Sequence, residues 1–219
     1  MPTPADIIDV ISTRLSFPKK TVAQHDRLLV VNGQRRISGR GRSATASPCD
    51  AAALLVAVAA TPIAGPAINI ANYRSYANLR AVHVPPGKFG SWEQIDSLRE
   101  LADGHTLVEA LARIIGRLAN GTLLPGNNEV THQKNAFPHH IGISVALYAP
   151  MARATVRIER TPEGLFEPDL SESLHYYRPA EDEPIAHREG QIDFAQERIF
   201  GMLTLWSLAK LFAVGIQSS

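Results

Sequence analysis

Apolar positions recur along the chain in two rhythms, one of about three to four residues and one of two. Over Ala5–Ser16, the residues Ile7, Ile8, Ile11 and Leu15 fall on one face of a short helix. Ser16-Phe17-Pro18 interrupts it, because the residue before a proline avoids the helical region. A second helix is predicted from about Pro18 to Val31, with Val22 and Leu29 seven residues apart on its buried face. Gly33 follows where a left-handed C-terminal cap belongs. Ser47-Pro48-Cys49-Asp50 predicts the start of a third helix, with Ser47 as N-cap and Pro48 as first helical residue. That helix, Asp50 to Ala60, is apolar almost all round and stops near Thr61-Pro62. No element is evident over Ile63–Gly90. Ser91-Trp92-Glu93-Gln94 then has capping-box form, and Trp92, Ile95, Leu98 and Leu101 recur at three-residue steps until Gly104, which predicts a further helical segment. Thr106 and Glu109 form a second box, opening Leu107–Ala119 with a broad apolar stripe that Asn120-Gly121 ends.

The rhythm then shortens. Ile141–Tyr148 and Ala152–Glu159 both alternate with period two, and with Ala149-Pro150-Met151 between them they predict an antiparallel hairpin. Ser173–Arg178 adds a third strand. An acidic, proline-containing stretch, Pro179–Gly190, leads to a long final helix expected over about Phe194–Val214. Pro62 and Gly65-Pro66 mark a boundary, dividing residues 1–62 from 63–219.

Composition adds bounds. The chain has 219 residues, 45% apolar and 20% charged, enough to bury a core. Its formal net charge of +1 conceals segregation. Arg14, Lys19, Lys20, Arg27, Arg35, Arg36, Arg40 and Arg42 face only Asp26 in the same stretch. By contrast, Glu163–Glu197 is strongly acidic. A basic front end points to an anionic partner. The lone cysteine, Cys49, excludes an intramolecular disulfide or a multi-cysteine zinc site. No secretory segment or apolar run of spanning length is evident, so the expectation is a cytoplasmic protein with no membrane partner.

The front end carries the strongest chemical signal. Thr21-Val22-Ala23-Gln24-His25-Asp26-Arg27-Leu28-Leu29, with Gly33 four residues on, resembles the recognition-helix stretch of winged helix-turn-helix regulators. Their pattern is a short helix, a tight turn, a second helix of the form T-V-x-x-H-x-R-x-L-x-x-x-G, and a basic wing. Asp26 departs from it, standing where those regulators usually carry an apolar residue. The resemblance implies that Lys19, Lys20 and Thr21 meet base edges from the helix N-terminus, with Gln24, His25 and Arg27 following on the outward face. The wing, QRRISGRGRS from Gln34, supplies Arg35, Arg36, Arg40 and Arg42 to phosphates or a minor groove. The chain also resembles uncharacterised proteins of alphaproteobacterial prophages and integrated elements in this stretch, in G-R-G-R and in the D-A-A-x-L-L of Asp50–Leu55.

Other chemistry is sparse. His132, His139 and His140 share a polar loop with Asn127, Asn128, Glu129 and Asn135, but at no metal-ligand spacing. No nucleophile elbow, phosphate-binding loop or dinucleotide fingerprint occurs. Catalysis, cofactor and metal are therefore not expected. The fold expected is α+β and mainly helical: a winged-helix-like module, a helical middle, a small antiparallel sheet and the long C-terminal helix. The function expected is sequence-specific binding of double-stranded DNA, as a transcriptional regulator of a prophage or similar element. A homodimer through the C-terminal helix follows from that helix being apolar on more than one face. The alternatives are a small terminase-like subunit for DNA packaging, and a protein-interaction or ligand-sensing module that binds no DNA.

Overall fold

In the computed structural model, residues 1–35, 44–61, 70–82, 90–124, 137–178 and 196–213 are described. They form six α-helices and a five-stranded antiparallel sheet, an α+β architecture. Three helices begin on capping boxes, in which a threonine or serine hydroxyl accepts from the N3 amide while the N3 carboxylate accepts from the cap amide. They are α1 (Pro4–Leu15) on Thr3 and Asp6, α3 (Pro48–Ala59) on Ser47 and Asp50, and α5 (Leu107–Ala119) on Thr106 and Glu109. Between the first two lies α2 (Lys19–Val31), entered at Pro18 and followed by Gly33 at φ +68°. The expected helix starts and stops hold at all four.

Two further elements lie where the sequence shows none. Helix α4 (Ile70–Ala77) buries Tyr73 and Tyr76, and β1 (Arg80–Val82) is three residues long. The hairpin forms as expected, β2 (Ile141–Ala149) against β3 (Arg153–Arg160), with Val145 opposite Val156 and Ile143 opposite Ile158. The third strand, β4 (Leu170–Tyr177), starts three residues earlier than its pattern suggests. With β5 (Gln196–Gly201), the sheet order is β1-β4-β3-β2-β5.

Two expectations are corrected. Residues 91–104 do not form an α-helix; they hold only a 3₁₀ turn at Asp96–Leu98. The Glu93 and Gln94 amides that a helix would have left for a cap instead donate to the Glu172 carboxylate of β4, at 2.6 and 3.1 Å. The run expected as one long helix from Phe194 divides into β5 and then α6 (Met202–Ala213). Gly201 is the joint: a Cβ there would lie 2.8 Å from the Ile143 carbonyl oxygen of β2.

Alternation in the strands gives the sheet two different faces. Val145, Leu147, Ala154, Val156, Ile158, Leu174, Tyr176 and Phe200 point inward and join the buried helix residues in a single core. Within it α1 packs on α6, and α3 on α5. The sequence boundary at 62–66 falls outside the described residues, and the core is continuous from one side of it to the other. Hydrogen bonds tie the layers: Tyr76 donates its hydroxyl to the Tyr148 carbonyl (2.7 Å) and Arg198 donates to the Ala59 carbonyl (2.9 Å). Helix α6 is apolar because its own chain covers it; only its Leu203 and Lys210 are exposed.

Candidate nucleic-acid interface

The turn between α1 and α2 is short. Ser16 takes the left-handed conformation, φ 56°, and its amide closes α1 on the Ser12 carbonyl. The Ser12 hydroxyl donates to the Phe17 carbonyl at 2.7 Å, and the chain re-enters a helix after Pro18. Three residues, Ser16 to Pro18, thus connect two helices that pack on one another.

Helix α2 divides cleanly into two faces. Val22, His25 and Leu29 are buried against the neighbouring helices. On the other side Lys20, Gln24, Arg27 and Val31 are exposed. Their spacings of four, three and four residues keep all four on one line, about 16 Å long at 1.5 Å per residue. Val31 ends that line 74% exposed. Lys20 and Arg27 take part in no ion pair among the described residues. Lys19 does, reaching Asp9 of α1 at 2.5 Å. Thr21 is half-buried.

Two residues of the expected contact set lie inside the protein. His25 is 2% exposed, and its Nε2 is 3.0 Å from the Thr61 hydroxyl. That hydroxyl gives its proton to the Ala57 carbonyl (3.1 Å), so the network assigns the imidazole as donor through Nε2. Burial pushes the imidazole down from its ordinary value to about 4, which keeps it neutral. Arg35, expected at phosphates, donates instead to Asp26 at 2.6 Å. The departure from the regulator pattern at Asp26 thus has a local partner. Arg36, Arg40 and Arg42 lie outside the described residues, as does most of the wing.

Protein-family models, curated proteins and solved structures give no match to this chain. The geometry alone carries the reading.

Elsewhere, an open depression of about 460 Å³ is lined by Cys49, Leu101, Glu109, Ala112, Arg113, Gly116, Arg117 and Asn120. Its two guanidiniums both pair with Glu100, each at 3.0 Å. Burial, then the Asp50 and Glu109 carboxylates, push the Cys49 thiol up, which disfavours the thiolate a nucleophile needs. Of the loop histidines, His132 lies outside the described residues, while His139 packs edge-on against Phe137. Among the described residues no group of three His, Cys, Asp or Glu side chains could hold a metal ion. No described helix is long and apolar enough to cross a membrane.

Sequence reasoning missed the burial of His25 and Arg35. A signal existed for the second: Asp26 sits on a helix otherwise apolar toward the core, so a cation nearby was needed to neutralise it.

Proposed function

We propose that the protein binds double-stranded DNA sequence-specifically through α2 and acts as a transcriptional regulator. The observation that supports this is the exposed line of Lys20, Gln24, Arg27 and Val31, backed by a fully buried opposite face. A helix of this width fits the major groove, where a glutamine can pair with adenine and an arginine with guanine, each through two hydrogen bonds. Lys20 at the N-terminal end suits a phosphate or a guanine edge, and Val31 suits a thymine methyl. Lys20 to Arg27 spans about 10 Å, or about three base pairs. Lys19, tied to Asp9, positions α1 against α2 and has a lesser share in binding. His25 and Arg35 hold α2 in place from beneath.

The expected dimer loses its original basis, since the apolar surface of α6 is consumed within the chain. Exposed Ile199 and Leu203, beside the β5 edge, remain for self-association. The direct test passes random genomic duplex fragments over the immobilised full chain at about 0.15 M salt, followed by sequencing of what is retained. Enrichment of a common motif supports the reading. Retention without enrichment, or none, contradicts it.

A further inference from the structure

The outward face of the sheet carries an arrangement that α2 does not use. At one level across the strands stand Arg80 of β1, Tyr177 of β4, Arg153 of β3 and Tyr148 of β2, by the registers Arg80↔Tyr177 and Tyr148↔Arg153 and the adjacent pair Ala154↔Tyr176. The Arg153 guanidinium lies 4.8 Å over the Tyr148 ring. One level along, His175 stands beside Thr155, bonded to its hydroxyl at 3.2 Å, with the imidazole 6.4 Å from the Tyr177 ring at 31°. Arg157 follows on β3, exposed and shared with Glu159. These side chains point away from the buried Ala154, Val156, Leu174 and Tyr176. At the two ring-bearing levels β1, β4 and β3 hold no carboxylate on this face; Glu197 of β5 ends the first level directly opposite Tyr148, and Glu159 stands two levels beyond Thr155.

We propose that this face is a stacking platform for single-stranded DNA. Strands lie about 4.8 Å apart, so Tyr148 and Tyr177, two strands apart, offer ring surfaces about 10 Å from one another with a guanidinium between. Unpaired bases stack on rings irrespective of sequence, and arginines interleaved with the rings meet the backbone. A duplex keeps its bases stacked inside and cannot use such a surface. The alternation of cation and ring fits a polyanion with exposed bases better than an apolar partner. The choice of DNA over RNA rests on the α2 reading; the platform itself does not.

The experiment follows the anisotropy of a labelled oligothymidylate as the full chain is added. Wild type is expected to bind, and Tyr148→Leu and Tyr177→Leu each to weaken the Kd about tenfold. Arg153→Gln and Arg157→Gln should each make the log–log salt slope shallower by about 0.7. Unaltered far-ultraviolet circular dichroism shows that each variant is folded. Should Tyr177→Leu fail that check, Tyr148→Leu and Arg157→Gln carry the test. In the same series the tyrosine variants should retain duplex binding, while Arg27→Ala loses duplex preference and keeps the oligothymidylate. Failure of one site is thereby separated from failure of the other. No binding by wild type, or unchanged affinity in the folded tyrosine variants, overturns the platform. Tighter binding of oligouridylate overturns the choice of DNA. Dimerisation that the tyrosine variants abolish, without any oligonucleotide binding, assigns the face to a second copy and overturns the proposal.

Discussion

Arg35 donates its guanidinium to the Asp26 carboxylate at 2.6 Å, with the two side chains only 6% and 15% exposed. The pair fastens the segment after α2 back onto the helix. A charge removed from water in this way is costly to leave alone. Arg35→Met is therefore expected to destabilise the fold by about 3 kcal/mol, because Asp26 stays behind uncompensated. The double variant Asp26→Leu with Arg35→Met should recover most of that loss. Urea denaturation of the two single variants and the double completes the cycle. Equal destabilisation by the double and by Arg35→Met would remove the pairing argument.

Acid should weaken the fold before its carboxylates titrate. His25 is held down to about 4, and His105 is lowered as well, in both cases mainly by burial. His105 bridges the Ala102 carbonyl (2.9 Å) and the Tyr176 hydroxyl (3.0 Å). The unfolded chain binds protons at these histidines from about pH 6.5 downward, whereas the folded chain resists until about pH 4 at His25. Stability is thus complete above about pH 6.5 and falls through that window. For His25 the loss is on the order of 2 kcal/mol after allowance for partial solvent screening. His25→Gln, which keeps a donor for Thr61, should flatten the dependence; denaturation midpoints at pH 7 and pH 4.5 measure it.

Much of the helical layer was legible because its signals are local. Ser47 and Thr106 with acids three residues on, Pro48 at a first turn and Gly33 and Gly121 after helix ends all act within a few residues. The hairpin register was equally legible from the alternation of Ile143 and Val145 with Val156 and Ile158. What was missed depends on distant partners. Trp92, Ile95, Leu98 and Leu101 recur every three residues, the period of a 3₁₀ turn rather than an α-helix, and the Glu93 and Gln94 amides answer to Glu172 of β4. Over 196–201 only Ile199 and Phe200 are apolar, too few to set a period of two against one of 3.6, and the decision falls to the close approach of Gly201 to Ile143. At the candidate interface, Lys20, Gln24 and Arg27 are exposed, as the regulator resemblance implied. The inward turn of His25 and Arg35 required Thr61 and Asp26 to be in place.

Two glycines should respond to the same substitution in opposite directions. Gly116 lies inside α5 with nothing within 4 Å of an added Cβ, so Gly116→Ala should stabilise by about 0.5–1 kcal/mol. Gly201→Ala meets the Ile143 carbonyl at 2.8 Å and should cost about 1–3 kcal/mol. Thermal midpoints of the two variants check both signs.

Under the proposed DNA binding, Arg36, Arg40 and Arg42 are expected to meet phosphates. Replacing each with glutamine should weaken binding to specific and scrambled duplexes alike, and should make the salt slope shallower by about 0.9 for every phosphate left without its arginine. Affinity measured over a series of salt concentrations resolves the slope. A variant that changes sequence preference instead would move that arginine from the backbone to a base edge.

The most direct test of the account is the ratio of duplex affinities, selected motif over scrambled sequence, for wild type, Gln24→Ala and Arg27→Ala at one salt concentration. Wild type should prefer the motif. Each variant should lose about 1–3 kcal/mol of that preference at one or two base positions, with its affinity for scrambled duplex little changed by Gln24→Ala. If both variants, still folded, keep the wild-type ratio, the outward line of α2 does not read DNA and the central claim fails.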